Sequence, residues 1–255
     1  MNIRQQQLNE YFQTLLNPAS FNDYCPNGLQ IEGCEKIKKI AFAVSATKDS
    51  ITRAIALHAD SLVVHHGLFW KFQGTRTLTG AFGQRVFPLV KNNINLFAYH
   101  LPLDAHPVVG NAATLGNKLG IQELQLFGDY KGSSTGIKGL LIAPLPAQEL
   151  ANKLEHILHH NVILASPDDQ QLISSIGIIT GGANSDWLLA VNDGLDAYIT
   201  GEISEHDWHE SQENNIHMFA GGHHATEQFG IQALMEKTQE QFAIECVYID
   251  SKNPA

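Results

Sequence analysis

The chain has 255 residues, 44% of them hydrophobic and only 16% charged, which is enough apolar material for one large or two modest folded domains and too much for a largely disordered chain. With 26 acidic against 16 basic side chains the net charge is -10, which weighs against a dedicated nucleic-acid binder, because affinity for phosphate comes mainly from clustered cations. No apolar run approaches the roughly 20 residues of a membrane span. Cys25, Cys34 and Cys246 are an odd number in no metal-ligand spacing, and the opening Met1-Asn2-Ile3-Arg4-Gln5 has no secretory apolar core. A soluble protein of the reducing cytoplasm is expected. The compositional outlier is histidine, 13 in all, several of them clustered.

Residues 3–16 place Ile3, Leu8, Tyr11, Phe12, Leu15 and Leu16 at helical spacing, and Asn17-Pro18 ends the helix. An apolar run at 40–44 predicts a strand, 49–58 a helix, and 61–64 a buried strand. A connection at 67–79 leads to a helix at 83–91, a strand at 94–99 and a helix at 111–119. The second half repeats the scheme, with strands at 176–180, 196–200, 216–220 and 243–249 and helices at 186–191, 203–214 and 224–238. This alternation predicts an α/β layered fold.

The two halves also align. Ile40 and Ile176, Ala54 and Ala190, and Asp60 and Asp196 are each 136 positions apart, while Asn93-Ile94-Asn95-Leu96-Phe97-Ala98 matches Asn215-Ile216-His217-Met218-Phe219-Ala220 at 122. The difference puts 14 extra residues in the first copy, in the connection after Gly67. An internal duplication follows, with a first α/β unit at 1–130, a second at 131–255, and Lys131-Gly132-Ser133-Ser134-Thr135-Gly136 as the linker. In this alignment His65-His66 lies opposite Gly201-Glu202, and His100–Asp104 opposite Gly222–Thr226. In open α/β sheets, ligand sites form beyond the carboxyl ends of strands.

Three segments at such ends carry chemistry. His65-His66-Gly67 closes a buried strand, and Gly67 supplies the backbone freedom for both rings to reach one site. His100-Leu101-Pro102-Leu103-Asp104-Ala105-His106 follows the next strand and holds three ligand types on a Pro-stiffened loop. Gly221-Gly222-His223-His224-Ala225-Thr226-Glu227 opens a helix on which His223 and Glu227, four apart, share a face and can chelate one cation. The donors are nitrogen and oxygen, suited to zinc, iron, manganese or magnesium. His65, His66, Asp104, His223 and Glu227 are too many for one four-coordinate ion that keeps a water, and about right for two ions sharing a bridging carboxylate. Glu205, His206, Asp207 and His209 read as a solvated helix, as do His156, His159 and His160. Glu202, opposite His66 in the repeat, can face the pocket. Pro26-Asn27-Gly28 is a turn signal.

These motifs, together with Tyr24-Cys25-Pro26-Asn27-Gly28-Leu29-Gln30 and Ala197-Tyr198-Ile199-Thr200-Gly201-Glu202, resemble those of the NIF-three-like dinuclear-metal proteins, also called GTP cyclohydrolase type 2 homologues, in their short bacterial form. The similarity spans nearly the whole chain. It implies two similar, intertwined α/β units with mixed sheets flanked by helices, assembled as a toroidal homohexamer with metal sites facing inward. It also implies a ligand set, His66 and Asp104 on one divalent ion, His65 and His223 on the other, and Glu227 bridging.

The expected function is a metal-dependent hydrolase of the GTP cyclohydrolase type 2 kind, acting on a nucleotide or related small anion. In that chemistry a metal-activated water attacks C8 of guanine and opens the imidazole ring, with His100, His224 or Glu202 moving protons. A non-catalytic, metal-dependent ring that binds nucleic acid or a protein partner is the alternative from another class. The net charge disfavours unaided nucleic-acid binding. Phosphoester hydrolysis would share the first mechanism with a different substrate.

Overall fold

A computed structural model describes residues 2–255. Two compact units divide them, one comprising residues 2–103 and 231–252, the other 104–230 and 253–255. The chain passes between units inside two helices and once more after Lys252. The division expected at residue 130 instead falls at the tip of a β-hairpin, so Lys131–Gly136 is a turn and the start of a strand, not a linker. Glycine and serine there serve the tight turn.

The first unit opens with β1 (Ile3–Arg4) and α1 (Gln5–Leu16), whose Leu8, Phe12 and Leu16 recur every four residues and are buried. Asn17 stops the helix in the left-handed region (φ 43°), and Pro18 cannot continue it. There follow β2 (Gly28–Ile31), β3 (Lys36–Ile37), β4 (Lys39–Ser45), α2 (Lys48–Ala56), β5 (Ser61–His66), α3 (Gly80–Lys91), β6 (Asn95–Ala98) and α4 (Leu101–Asp104), which ends at the first residue of the second unit. Thr47 caps α2 by accepting from the Ser50 N–H at 3.1 Å, while Ser50 Oγ accepts from the Thr47 N–H.

The second unit contains α5 (Asn111–Leu119), β7 (Gln122–Tyr130), β8 (Ser133–Pro146), α6 (Ala147–Leu158), β9 (Ile163–Ala165), β10 (Leu172–Ile178), α7 (Trp187–Asn192), β11 (Ala197–Thr200), α8 (Glu205–Glu213), β12 (His217–Ala220) and α9 (His223–Thr226). Helix α10 (Gln228–Phe242) carries the chain back to the first unit, where β13 (Glu245–Tyr248) joins its sheet.

The first unit's sheet has the order β13-β4-β5-β6-β2, parallel except for β2. The second's is β7-β8-β10-β11-β12-β9, with β10, β11 and β12 parallel and the flanking strands antiparallel. Strand positions from Ile40 to Val44 are all buried, as both faces of a parallel sheet must be when helices cover them. Each unit has its own core. One includes Ile51, Leu62, Val64, Leu89 and Leu96, the other Leu115, Leu150, Leu154, Ile176 and Ile199.

The pairing registers repeat between units as a duplication requires. Ile40 pairs with Ser61 and Ser61 with Asn95; Ile176 pairs with Ala197 and Ala197 with His217, at the same offsets of 136 and 122. Asp60 Oδ2 accepts from the Lys38 and Lys39 N–H groups, and Asp196 Oδ2 from those of Ser174 and Ser175. Asn93 and Asn215 take the same left-handed conformation, with φ 57° and 56°. Most of the extra residues of the first copy lie between β5 and α3, as the alignment placed them.

Candidate metal centre

In the first unit β5 continues through His66, so the two adjacent histidines close the strand itself. His65 is fully buried, and its Nδ1 lies 3.0 Å from the Tyr99 carbonyl oxygen just beyond β6. A carbonyl only accepts, so Nδ1 carries a proton, and in the neutral ring the lone pair a metal ligand needs is then on Nε2. His66 Nδ1 lies 3.1 Å from Ser45 Oγ at the end of β4. Gly67 is required here for space and not for conformational freedom. Its φ is ordinary, but a Cβ would sit 2.4 Å from the Gln30 amide, which holds the turn by accepting from the Leu68 N–H and donating to the Pro26 carbonyl.

His100 joins this pair. Ring nitrogens of His65, His66 and His100 all lie within 4.8 Å of one another. Nδ1 of His100 is 3.0 Å from Asp23 Oδ1, and its backbone N–H donates to Asn27 Oδ1 at 2.7 Å. Asp23 also accepts from the Cys25 and Leu101 N–H groups and from the Asn27 amide. Burial alone would raise its pKa. The hydrogen bond and charge of His100, with those from Asn27 and Leu101, outweigh burial and hold the carboxyl down at about 2. Sequence reading missed Asp23, Ser45 and Tyr99, because each acts through contacts that only the tertiary fold creates. The one available signal was position, since Asp23 precedes the Pro26-Asn27-Gly28 turn.

In the second unit Asp104 Oδ1 accepts from Asn111 Nδ2 at 2.8 Å, and Asn111 Oδ1 accepts in turn from the Gly230 N–H. His106 is a loop organiser, its Nδ1 accepting from the Val108 and Val109 N–H groups. Beyond β12, the single turn of α9 places His223 Nε2 3.1 Å from Glu227 Oε2, as the four-residue spacing predicts. His223 Nδ1 lies 2.6 Å from Glu202 Oε1, so the carboxylate opposite His66 in the repeat does reach a candidate ligand. Burial alone would lower the pKa of His223. Glu227 first and Glu202 second reverse that and lift it to about 9. Gly181 makes room for the bridge candidate. A Cβ there would lie 2.0 Å from Glu227 Oε1, and its φ of 71° excludes most other residues.

His224 is buried, and its backbone N–H donates to the Ala255 carbonyl. His206 and His209 are exposed on α8, as expected. Asp207 departs from that expectation. It is buried, and binds Asn184, Trp187 Nε1 and the Ser204 N–H, because a helix N-terminus needs an acceptor for its free N–H groups. His156 and His159 are exposed, whereas His160 bonds to Pro254 and Asn161 carbonyls.

Mixed sheets whose strand ends carry His65, His66 and His100 in one unit, and Asp104, His223 and Glu227 in the other, define an α/β protein with residues of the kind that could hold metal ions. The profile of the DUF34/NIF3 family (NGG1p interacting factor 3) matches residues 3–254. The chain is 42% identical over 251 residues to the "GTP cyclohydrolase 1 type 2 homolog" of Vibrio cholerae, covering 97% of this chain and 98% of that one. The Pasteurella multocida protein of the same name is 41% identical over 249 residues, covering 98% of each. A solved structure described as "protein ybgI, unknown function" superposes with a TM-score of 0.92 at 38% identity, covering 99% of this chain and all of that one. The chain belongs to the DUF34/NIF3 family.

Proposed function

We propose that the chain is a dinuclear-metal hydrolase of the cytoplasm that acts on a nucleotide or related small anion. In this reading His66 and Asp104 hold one divalent ion, His65 and His223 the other, and Glu227 bridges. One observation carries it. His65 is locked by Tyr99 in the tautomer that offers Nε2 from a fully buried ring, in a group of three converging imidazoles. Oxygen donors of the kind a two-ion site adds stand on α4 and at the end of α9. The donor set fits zinc, iron, manganese or magnesium. Bound ions of this kind polarise a substrate oxygen and lower the pKa of a coordinated water toward neutrality.

The chain's own residues do the rest. Ser45 and Tyr99 orient the imidazoles, Asn111 orients Asp104, and Glu202 holds His223. His100, fixed by Asp23, is positioned to accept and return a proton. The relatives' names supply the nucleotide class. The family resemblance also points to a ring of six copies, and exposed Leu126, Leu140, Ile142 and Leu172 on β7, β8 and β10 support self-association through that sheet.

The test is metal content per chain in protein purified without chelator. About two equivalents are expected, falling below one in Glu227→Ala, together with loss of GTP turnover. Full loading of that variant overturns the bridging role, and a wild type that takes up no metal after replete dialysis overturns the hydrolase.

A further inference from the structure

Beside the histidines of the first unit lies a cavity of about 590 Å³, within the size range of small-molecule sites. Its walls include the half-buried rings of Phe21, Phe69 and Trp70 and the exposed cations Lys71 and Arg76. Trp70 is a shared wall. Its ring centroid is 5.9 Å from that of His66 and 5.2 Å from that of His100, and Asp23, which orients His100, lines the same cavity. Outside, Phe72 stacks on Trp70 at 5.6 Å while 71% exposed.

The two cations are held without being neutralised. Lys71 Nζ donates to the Asp23 backbone carbonyl, and Arg76 lies over the Phe82 ring, Cζ 3.8 Å from its centroid, with Nη1 donating to Gln73 Oε1. These partners are uncharged, and the Lys and Arg ion pairs of the described residues lie elsewhere, at Lys39, Arg53, Lys138 and Lys237. A guanidinium has five N–H donors and an ammonium three, so both keep donors for a ligand. Flat aromatic walls with two uncompensated cations select a planar ring that carries an anion.

We propose that this cavity is the substrate subsite and binds a nucleotide, its base against Trp70 and its phosphate on Lys71 and Arg76. The proposal deepens the hydrolase reading and rests on it for the choice of a nucleotide. It adds an orientation. Trp70 is the aromatic wall that the cavity shares with His66 and His100, and the hydrogen bonds of the two cations go to Asp23 and Gln73 and not to a histidine. The base therefore faces the candidate metal centre and the phosphate points away, which makes the ring the reacting part and a phosphoester the wrong substrate.

The experiment is isothermal titration calorimetry of the full chain, chelator-treated and metal-loaded, with GMP, guanosine and inorganic phosphate as probes. GMP is expected to bind in both metal states. Lys71→Ala/Arg76→Ala is expected to weaken GMP at least about tenfold, or 1.4 kcal/mol, while guanosine changes less than about twofold. Trp70→Ala should weaken both probes, and Trp70→Phe, which keeps an aromatic wall, should restore guanosine. Undiminished GMP binding in the double variant, or no GMP binding by the wild type at millimolar concentration, overturns the subsite. Loss of GMP binding on chelation overturns the orientation, because the phosphate would then sit on the ions. Metal content measured on the same samples separates this failure from that of the two-ion site, since neither cation is a proposed ligand.

Discussion

Individual side chains here are set by what their second polar atom touches. His65, His100 and His223 are three imidazoles with three different partners at Nδ1, a carbonyl, a buried carboxylate and an exposed carboxylate, and only His223 faces acids on both nitrogens. Asp207 shows the same logic away from the site. Burial pushes its pKa up, but hydrogen bonds from Asn184, Trp187 and Ser204, with the His206 ring nearby, bring it below the usual carboxylate value. An acid whose pKa is lower folded than unfolded stabilises the fold above the unfolded value of about 3.9, and that contribution is lost as pH falls through the folded value. Urea midpoints should therefore drop more steeply below about pH 4 in the wild type than in Asp207→Asn. At neutral pH the variant should already be less stable by about 1–3 kcal/mol, since an amide N–H would face the Asn184 and Trp187 donors. Parallel pH profiles for the two proteins would remove Asp207 from the acid response.

Among elements, the repeat is most legible where an acid serves the backbone. Asp60 accepts two consecutive N–H groups where the chain enters β4, Asp196 accepts two within β10, and Asp196 also accepts from Ser175 Oγ. Truncation to Ala leaves those N–H groups without their acceptor, at about 1–3 kcal/mol for each site. Asp196→Ala should be the more costly by one hydrogen bond, about 1 kcal/mol, in denaturant unfolding. Equal effects would mean that the Ser175 bond contributes nothing. Elements without strong periodicity escaped the sequence. The linker expected at Lys131–Gly136 is the turn of the β7–β8 hairpin, because Gly132, Ser133 and Ser134 are turn residues and the strands alternate poorly, with Leu126, Leu140 and Ile142 exposed. The short antiparallel strands β2 and β9 were also missed, since a few residues at a sheet edge carry little pattern.

For the molecule as a whole, apolar side chains exposed on three adjacent strands are what supports the proposed self-association. Ile142, 79% exposed, stands out. Light scattering coupled to size exclusion should give the wild type the mass of six 28.0 kDa chains. Leu126→Lys/Ile142→Lys should shift it to smaller species, because two buried ammonium groups per contact are costly. A wild type that elutes as a single chain would end the ring proposal. Among the described residues no helix is long and apolar enough to cross a membrane.

The sequence by itself determined the α/β class, the places along the chain of the seven parallel strands, the offset between the two copies, and the positions of the histidines and carboxylates at strand ends. Those features follow from local periodicity and from spacing, which one strand or one helical turn suffices to express. The tertiary structure alone decided where the chain changes units, at Leu103 and Gly230 rather than near residue 130, because compactness depends on contacts distant in sequence. It also supplied the roles of Asp23, Ser45, Tyr99 and Asn111, each of which orients a side chain by a hydrogen bond. Asp23 and His100 lie 77 positions apart, and His65 and the Tyr99 carbonyl 34. A hydrogen bond is specified by position in space to within a few tenths of an ångström, and no pattern along the chain encodes that.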